Sequence, residues 1–292
     1  MPMTKSPLRY PGGKTQLSHF LIHLLEINGL NRPIYCEPFS GGFGAGMQLL
    51  HDNYVDKVMI NDIDTGIYSI WYAILNECSE FIKMIDNTPI TIEEWHHQKN
   101  IYNEFIATRK YSIELAFATY FLNRTNVSGI ISGGPIGGQG QASKYKLDCR
   151  FNKDNLAKKI KKINLLSNRI ELFNLEANDL IKEKLLNLDP KQLFVFFDPP
   201  YYKQGKHLYT NFFDHRDHVE LKKHIALMDD YQWITTYDHV DAIKQIYSDY
   251  PALEYSIRYS ANKVRKEKEY LIHSPETIVE NFDKVELLTL NR

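Results

Sequence analysis

Leu193-Phe194-Val195-Phe196-Phe197, followed at once by Asp198-Pro199-Pro200-Tyr201, is the stretch that decides the fold of this chain. Five consecutive apolar residues with no polar face predict a strand that is buried on both sides, as in a parallel sheet covered by helices. Open α/β sheets bind their ligands at the carboxyl ends of such strands. We therefore expect the tetrapeptide 198–201 to lie at the ligand-binding edge of a sheet.

The tetrapeptide predicts a rigid group of hydrogen-bond acceptors beside an aromatic ring. Asp198 and Pro199 each precede a proline, which favours extended backbone geometry, and the two prolines carry no backbone N–H. A carboxylate and neighbouring carbonyl oxygens remain as acceptors beside Tyr201. These groups suit a planar molecule with an exocyclic amino group, because its N–H donors meet oxygen and its flat face meets a ring. The stretch therefore indicates a nucleobase that carries an amino group.

Composition predicts a globular protein of one large domain or two modest ones. The chain has 292 residues, of which 43% are hydrophobic, and a formal net charge of -1. It contains no apolar run long enough for a membrane span and no signal-peptide core, so we expect a cytoplasmic protein without a membrane partner. Three cysteines are widely spaced and show no paired metal-ligand pattern, so we expect reduced thiols and no metal site.

The order of the predicted elements places a helical insertion within one sheet domain. Up to residue 75 the pattern is strand, glycine turn, helix, second strand and helix. The segment 76–164 lacks strands and contains a glycine-rich stretch at 128–143, which we interpret as a functional loop. Strands then resume. We predict one sheet domain of residues 1–75 and 165–292, interrupted by a mostly helical insertion of residues 76–164.

A second motif follows the first predicted strand. Gly42-Phe43-Gly44-Ala45-Gly46 lets a ligand approach the backbone closely, and Asp62 ends the next strand. An acidic residue about 20 positions after such a turn commonly receives ribose hydroxyls. Because Gly-x-Gly-x-x-Gly is absent, a pyrophosphate dinucleotide is the weaker candidate, and the motif favours another nucleoside-containing cofactor. Taken alone, a glycine turn needed only for packing a helix on the sheet is an equal alternative.

Short motifs in a shared order resemble the Dam-like family of DNA adenine-N6 methyltransferases, which use S-adenosylmethionine. The resemblance covers nearly the whole chain. It implies that residues 1–75 and 165–292 form the catalytic methyltransferase domain and that residues 76–164 form an inserted DNA-recognition domain. It implies a Rossmann-like α/β methyltransferase sheet, mostly parallel with an antiparallel C-terminal strand, and methyl transfer to N6 of a flipped adenine in double-stranded DNA by direct in-line attack. The motifs are Tyr10-Pro11-Gly12-Gly13-Lys14, Glu37-Pro38-Phe39-Ser40-Gly41-Gly42, Asn61-Asp62-Ile63-Asp64, Leu122-Asn123-Arg124, Asp198-Pro199-Pro200-Tyr201, Asp217-His218-Val219-Glu220-Leu221 and Thr236-Tyr237-Asp238.

The resemblance also implies roles for individual residues and no metal. Phe39 to Gly42 wrap the methionine part of the cofactor, Asp62 holds the ribose, and Asp198 lies where cofactor and adenine meet. The implied catalytic residues are Asp198, Pro199, Pro200 and Tyr201. The implied S-adenosylmethionine-binding residues are Tyr10, Lys14, Glu37, Pro38, Phe39, Ser40, Gly41, Gly42, Asp62 and Asp198.

A basic segment predicts the surface that contacts DNA phosphates. From Lys144 to Arg169 nine basic residues face two acidic ones, a local excess of 9 minus 2, or +7. The predicted phosphate contacts are Lys144, Lys146, Arg150, Lys153 and the lysines of the following helix, with a merely solvated helix face as an equal alternative. Asn123 and Arg124 are expected near DNA bases or as residues that position the loop, and an internal ion pair of Arg124 is an equal alternative.

Partners and rival functions follow from the same resemblance. We expect double-stranded DNA and a cognate restriction endonuclease as partners, and a place on DNA in a bacterium or a phage-infected bacterium. The alternatives are methylation of cytosine N4 or of RNA adenine, and a non-catalytic DNA-binding protein that retains the fold. His215 and His218 have a metal-like spacing, but we interpret them as solvated residues in the first turn of a helix capped by Asp214 or Asp217.

Overall fold

An eight-stranded sheet runs through the part of the chain that this computed structural model describes, residues 4–10, 14–203, 213–259 and 265–289. Its strands are β1 (Ile34–Glu37), β2 (Lys57–Asn61), β3 (Ile170–Phe173), β4 (Leu193–Phe197), β5 (Gln232–Asp238), β6 (Ala252–Tyr259), β7 (Arg265–His273) and β8 (Leu287–Thr289). They pair in the order β3-β2-β1-β4-β5-β7-β6-β8. The order reverses between β1 and β4, which is where open α/β sheets form their ligand crevice.

The sheet is parallel on one side and antiparallel on the other. The strands from β3 to β5 in this order are parallel. β7 is antiparallel to β5, and both β7 and β8 are antiparallel to β6. The predicted α/β class and mostly parallel sheet are confirmed. The antiparallel part is larger than the single C-terminal strand that we predicted, and the three-residue β8 is too short to produce a sequence pattern.

β4 is buried on both faces, as its sequence predicts. Phe194 and Phe196 belong to one hydrophobic cluster, whereas Leu193, Val195 and Phe197 belong to the other. Successive side chains of a strand point to opposite faces, so an uninterrupted apolar run packs against both helical layers at once. The end of β4, rather than either face, is therefore the part that a ligand can reach.

Helices cover both faces of the sheet. The first seven contribute to the cluster that contains Phe194, and the last three contribute to the other cluster. They are α1 (Ser18–Ile27), α2 (Gly44–His51), α3 (Thr65–Asn76), α4 (Cys78–Asn87), α5 (Ile92–Ile106), α6 (Ile113–Thr125), α7 (Lys153–Asn164), α8 (Ala177–Glu183), α9 (His215–Ile225) and α10 (Asp241–Ile246). Side-chain caps start several of them, which explains their sharp beginnings: Asp64 caps α3, Thr91 caps α5 and Ser112 caps α6.

The predicted insertion corresponds to four helices. Between β2 and β3 the described chain has no strand, and α4 to α7 occupy the segment 76–164. The boundaries that we predicted fall at the end of α3 and the end of α7. Leu115 and Phe117 of α6 share a hydrophobic cluster with Ile70 and Trp71 of α3. That this segment forms a domain of its own stays a prediction.

Candidate active site

A cavity lies at the carboxyl edge of the parallel strands. The residues that follow β1, β2 and β4 meet there, because parallel strands end at the same edge of the sheet. The structure brings together nearly all the side chains that the sequence assigned to the cofactor, although 11–13 of the first motif fall outside the described residues. The residues assigned to the cofactor that line the cavity are Tyr10, Lys14, Glu37, Pro38, Phe39, Ser40, Gly42, Asp62 and Asp198, and Pro200, which the sequence assigned to catalysis, lines it as well.

Several lining residues were missed by sequence reasoning. Gly129–Ser132 come from the glycine-rich stretch, whose composition signalled a functional loop but not its place in the fold. Leu175, Glu176 and Ala177 follow β3, and the rule that ligands lie at strand ends could have identified them. Phe213 also lines the cavity and gave no signal.

The glycine turn after β1 is shaped by the ring of Tyr10. Gly41 has a φ of +47, and a Cβ atom there would lie 2.6 Å from two ring carbons of Tyr10. The indole N–H of Trp71 donates to the Gly41 carbonyl oxygen at 3.1 Å and fixes the turn from below. Only glycine satisfies both the left-handed backbone and the close approach. The turn therefore keeps its backbone at the cavity, with Tyr10 packed against it.

Asp62 ties the ends of β1 and β2 together. Its Oδ2 accepts the backbone N–H of Gly41 at 2.8 Å, and its Oδ1 accepts that of Asp64 at 2.9 Å. Burial, reinforced by the charge of Asp64, raises the pKa of the Asp62 carboxyl to about 7. Each carboxylate oxygen keeps a second lone pair, which is what a ribose hydroxyl requires.

Glu37 is a buried carboxyl at the end of β1. Its Oε1 accepts hydrogen bonds from the hydroxyl of Tyr35 at 2.8 Å and from the backbone N–H of Gly46 at 3.1 Å. Burial raises the pKa of the Glu37 carboxyl to about 8, although both hydrogen bonds favour the ionised form. A carboxyl whose pKa is raised by burial and by the nearby charge of Asp198 becomes ionised when a cation binds beside it.

Asp198 follows β4 with its carboxylate at the cavity. The hydroxyl of Thr236 donates to Oδ1 at 2.7 Å, and Lys14 Nζ lies 3.5 Å from the same oxygen. Burial raises the pKa of Asp198 to about 6, while Lys14 opposes the rise. The side chain still exposes 21% of its surface. At neutral pH Asp198 is therefore mainly an ionised acceptor that a ligand can reach.

Tyr201 lies behind the cavity rather than in its wall. It is 9% exposed, and its hydroxyl donates to Glu269 Oε1 at 2.7 Å. Lys14 Nζ donates to the same hydroxyl and lies 4.9 Å from the ring centroid. No sequence motif included Glu269. Stacking of Tyr201 on a base stays a prediction.

Asp238 supports the chain that follows the tetrapeptide, a role that the sequence left open. Its two carboxylate oxygens accept the backbone N–H groups of Tyr202 and Lys203, each at 2.9 Å. These bonds fix the turn directly after Tyr201 to the end of β5. Asp238 therefore positions the turn from the neighbouring strand.

The prediction that His218 is solvated is wrong. Asp214 does cap α9, and the Asp217 side chain in turn accepts the backbone N–H of Asp214. His218, however, has no exposed surface, and its Nδ1 lies 3.3 Å from the hydroxyl of Tyr237. Burial lowers the pKa of His218 to about 4, so the ring is neutral at physiological pH. Within the described residues no group of three His, Cys, Asp or Glu side chains is placed to hold a metal ion.

The side chains of Asn123 and Arg124 donate hydrogen bonds to backbone carbonyl oxygens. Asn123 has no exposed surface; its amide donates to the carbonyl oxygens of Arg9 and Gly129, and its Oδ1 accepts the Arg9 N–H at 2.9 Å. Arg124 donates to the carbonyl oxygens of Arg150 and Pro7. The positioning role fits Asn123, whose amide reaches Gly129 of the loop, whereas the hydrogen bonds of Arg124 reach residues outside the loop. Contact of either residue with DNA bases stays a prediction.

The predicted phosphate surface is smaller than the sequence suggested. Lys153 Nζ donates to the carbonyl oxygens of Asp86 and Thr88, and Lys159 Nζ donates to those of Thr4 and Ser6. Long side chains that turn back onto carbonyl groups are not available to DNA without breaking these bonds. The predicted basic residues that remain exposed are Lys144, Lys146, Arg150, Lys158, Lys161 and Lys162.

Comparisons with known proteins show what this chain is similar to. The family model of the D12 class N6 adenine-specific DNA methyltransferases matches residues 10–282. The Type II methyltransferase M.MjaIII of Methanocaldococcus jannaschii is 24% identical over 241 residues, 76% of this chain and 79% of that protein. The solved structure of "a putative RNA methyltransferase PH1948 from Pyrococcus horikoshii" aligns over 91% of this chain and 87% of that one, at 9% identity and a TM-score of 0.39. In the described residues no helix is both long and apolar enough to span a membrane.

The family match spans every motif on which the sequence resemblance rested, from Tyr10 to Asp238. It confirms that resemblance independently of the cavity. The chain belongs to the D12 class of N6 adenine-specific DNA methyltransferases and is an enzyme that methylates adenine in DNA.

Proposed function

We propose that the enzyme transfers the methyl group of S-adenosylmethionine to N6 of an adenine that has been flipped out of double-stranded DNA, by direct in-line attack. One observation carries the proposal. The Asp198 carboxylate and the cofactor-type turn at Gly42, with Asp62 beside it, open onto the same cavity. Two molecules that bind to these two groups would therefore meet.

The residues of the cavity fit S-adenosylmethionine chemically. Asp62 offers lone pairs to ribose hydroxyls, and Glu37 offers a carboxylate to the cationic amino-acid part. The glycine turn leaves its backbone accessible, and Phe39 and Ile63 supply apolar surface. The bound cofactor would supply a methyl group already activated by a sulfonium centre. The protein is left to orient the acceptor amine.

Asp198 and Pro199 prepare the adenine amine. Its nitrogen lone pair is delocalised into the ring, so the amine is a poor nucleophile until hydrogen bonds localise the lone pair. In the proposed complex the Asp198 carboxylate and the Pro199 carbonyl accept the two N–H bonds. Thr236 and Lys14 already hold Asp198, so these acceptors need little reorientation. A carboxylate whose pKa is about 6 can also accept the proton that the methylated nitrogen loses.

The adenine has to leave the DNA stack to reach Asp198. The carboxylate is buried except toward the cavity, and a paired base in a duplex cannot enter a cavity of side chains. Extrusion of a base costs a few kcal/mol, which stacking and hydrogen bonds in a pocket offset. The exposed basic residues from Lys144 to Lys162 are the proposed phosphate contacts for the duplex. A cognate restriction endonuclease and a place on bacterial or phage DNA belong to the same proposal.

Substitution of Asp198 tests the proposal. We expect Asp198→Ala to lower the turnover number by at least about 10³-fold, because both the acceptor and its charge are lost. Binding of S-adenosylhomocysteine, measured by calorimetry, serves as the control for an intact cavity. Methyl transfer close to that of the parent enzyme would contradict the proposal.

Product analysis separates the remaining alternatives. Labelled methyl transfer to unmethylated DNA distinguishes an active enzyme from a DNA-binding protein that retains the fold. Mass spectrometry of nucleosides after the reaction should show N6-methyladenine. The appearance of N4-methylcytosine, or methylation of RNA but not of DNA, would replace the proposed acceptor.

A further inference from the structure

Glu269 is a buried carboxylate behind the cavity. It lies on β7, is 1% exposed, and pairs in register with Asp238 of β5 and Tyr255 of β6. Its Oε2 lies 3.0 Å from Lys14 Nζ and accepts the hydroxyl of Tyr255, while its Oε1 accepts the hydroxyl of Tyr201 at 2.7 Å. An isolated buried charge is strongly unfavourable, whereas this one is paired with a cation and hydrogen-bonded on both oxygens. Glu269 therefore organises residues that the sequence assigned to the active site.

Lys14 lies between two carboxylates. Its Nζ is 3.0 Å from Glu269 and 3.5 Å from Asp198, and only the second of these carboxylates belongs to the cavity wall. One cation thus interacts with two anions in a site of low solvent exposure. The strength with which Lys14 favours the charged form of Asp198 depends on the presence of Glu269.

We propose that Glu269 is a positioning residue of the methyl-transfer reaction, which fixes Lys14 in the cavity wall and Tyr201 behind it and, through its negative charge, controls how strongly Lys14 interacts with Asp198. The inference rests on the proposed function, in which ionised Asp198 accepts the adenine amine. Glu269 does not line the cavity and acts through its neighbours.

The charges around Asp198 support this role. Lys14 lowers the pKa of Asp198 and Glu269 raises it, after the larger effect of burial. The Thr236 hydroxyl lowers it, and removal of the Glu269 charge would leave Asp198 as the carboxylate that pairs with Lys14. The groups that interact with Asp198 come from four parts of the fold: Lys14 from the N-terminal segment, Tyr35 and Glu37 from β1, Thr236 and Tyr237 from β5, and Glu269 from β7.

Two substitutions separate the effect of the Glu269 charge from the effect of the length of its side chain. Glu269→Gln keeps the shape and removes the charge, so we expect the acid limb of kcat/KM to move to lower pH by roughly half to one unit. Turnover at pH 8 should fall about tenfold, because Lys14 and Tyr201 donate to different oxygens of Glu269 and a glutamine amide offers only one acceptor oxygen. Glu269→Asp keeps the charge on a shorter side chain. It should retain the parent acid limb while lowering turnover.

Matched measurements guard against a merely structural effect. Glu254→Gln removes a carboxylate from the adjacent strand β6, where it pairs with the exposed Lys268, and should leave the pH profile unchanged. Affinity for S-adenosylhomocysteine should stay within about threefold of the parent in both Glu269 variants, since neither alters the cavity wall. Melting temperature reports the fold of each variant.

The outcomes decide between this inference and the proposed function. A parent-like acid limb in Glu269→Gln, or an equal shift in Glu269→Asp, would overturn the positioning role. If Glu269→Gln does not fold, Glu269→Asp provides the test. Turnover equal to that of the parent enzyme, or a shift of the acid limb of kcat/KM in Glu269→Asp, would then overturn the positioning role. Activity retained by Asp198→Ala would instead refute the proposed function itself. If Asp198→Ala is inactive and Glu269→Gln has the pH profile of the parent enzyme, only the role of Glu269 is refuted.

Discussion

Asp198 shows how one residue receives its chemistry from its surroundings. Burial alone would keep this carboxyl protonated to a higher pH, but Lys14 and Thr236 both favour the ionised form. The resulting pKa of about 6 leaves an acceptor that is charged at neutral pH and close enough to neutrality to bind a proton. Changes in these neighbours should therefore appear in the pH dependence of the reaction.

Thr236→Val tests the hydrogen bond to Asp198. The bond favours the ionised carboxylate, so its loss should raise the pKa of Asp198 and move the acid limb of kcat/KM to higher pH. Turnover at the optimum should fall about threefold to tenfold, because a net hydrogen bond to a charged group contributes about 1.5–3 kcal/mol, of which only part is felt in the transition state. A pH series between 5 and 8 measures both effects.

Thr235→Val is the control for that substitution. Thr235 is the preceding residue of β5, and its buried hydroxyl has no hydrogen-bond partner among the described residues. Removal of an unsatisfied buried hydroxyl should leave activity unchanged and the melting temperature equal or higher. A Thr236→Val profile that matches that of Thr235→Val would show that the Asp198 bond is unimportant.

Glu37 predicts that cofactor affinity depends on pH. Its carboxyl is protonated below a pKa of about 8, so binding of cationic S-adenosylmethionine should strengthen as pH rises from 6.5 to 8.5 and should release a proton. Calorimetry in buffers of different ionisation enthalpy measures that release. Glu37→Gln cannot ionise and reports the protons that the ligand itself loses; an identical release in both proteins would contradict the prediction.

At the scale of the elements, a short stretch of chain after α6 forms one side of the cavity. We call Gly129–Ser132 the cavity wall segment. Asn126 donates to the carbonyl oxygens of Ile130 and Ile131, and Lys99 donates to the latter oxygen as well. Asn123 ties Gly129 to the chain that carries Tyr10. The buried amides of Asn123 and Asn126 therefore hold the cavity wall segment in a defined place.

Gly129→Ala should displace this segment. Gly129 has a φ of +80, and a Cβ atom there would lie 2.3 Å from the Arg9 carbonyl oxygen. We expect a loss of about 1–3 kcal/mol in the free energy of unfolding, together with weaker cofactor binding. Chemical denaturation and calorimetry measure the two quantities.

Gly134→Ala is the matched control in the same loop. No heavy atom lies within 4 Å of a Cβ atom at Gly134, and its φ is not in the left-handed range. Stability should therefore stay within about 0.5 kcal/mol of the parent. Equal effects of the two substitutions would show that the cavity wall segment tolerates displacement.

The sequence predicted those parts of the site whose signals are local. The tetrapeptide and the glycine turn each follow a strand directly, so their place at the sheet edge follows from their own neighbours. Glu269 gave no such signal, because its contact with Lys14 joins residues 255 positions apart and depends on the register of β7. His218 was misjudged because a polar first turn indicates exposure, whereas Tyr202, Phe213 and Tyr237 surround its ring.

At the scale of the whole molecule, the net charge of -1 conceals an uneven distribution. Exposed lysines of α7 lie in the basic segment, whereas Lys57 and Lys191 lie at the amino ends of β2 and β4, opposite the cavity. Equal changes of charge at these two places can therefore show from which side DNA approaches the protein.

Neutralisation of Lys158 and Lys162 should weaken DNA binding in a salt-dependent way. If both lysines contact phosphates, Lys158→Gln/Lys162→Gln should reduce the slope of log K against log salt by about 2. The control Lys57→Gln/Lys191→Gln changes the charge equally and should retain the parent slope. Fluorescence anisotropy at several salt concentrations measures both, and equal slopes in the two double variants would exclude the α7 surface.

The cavity wall segment gives the two ligands a common boundary. It belongs to the part of the chain predicted to recognise DNA, yet Gly129 and Ile130 also line the cavity proposed for the cofactor. If the duplex shifts this segment, it alters cofactor affinity by some factor, and thermodynamic linkage requires the cofactor to alter duplex affinity by the same factor. The order in which the two ligands bind would then affect only the kinetics. At equilibrium, one coupling constant would describe the effect of each ligand on the affinity of the other.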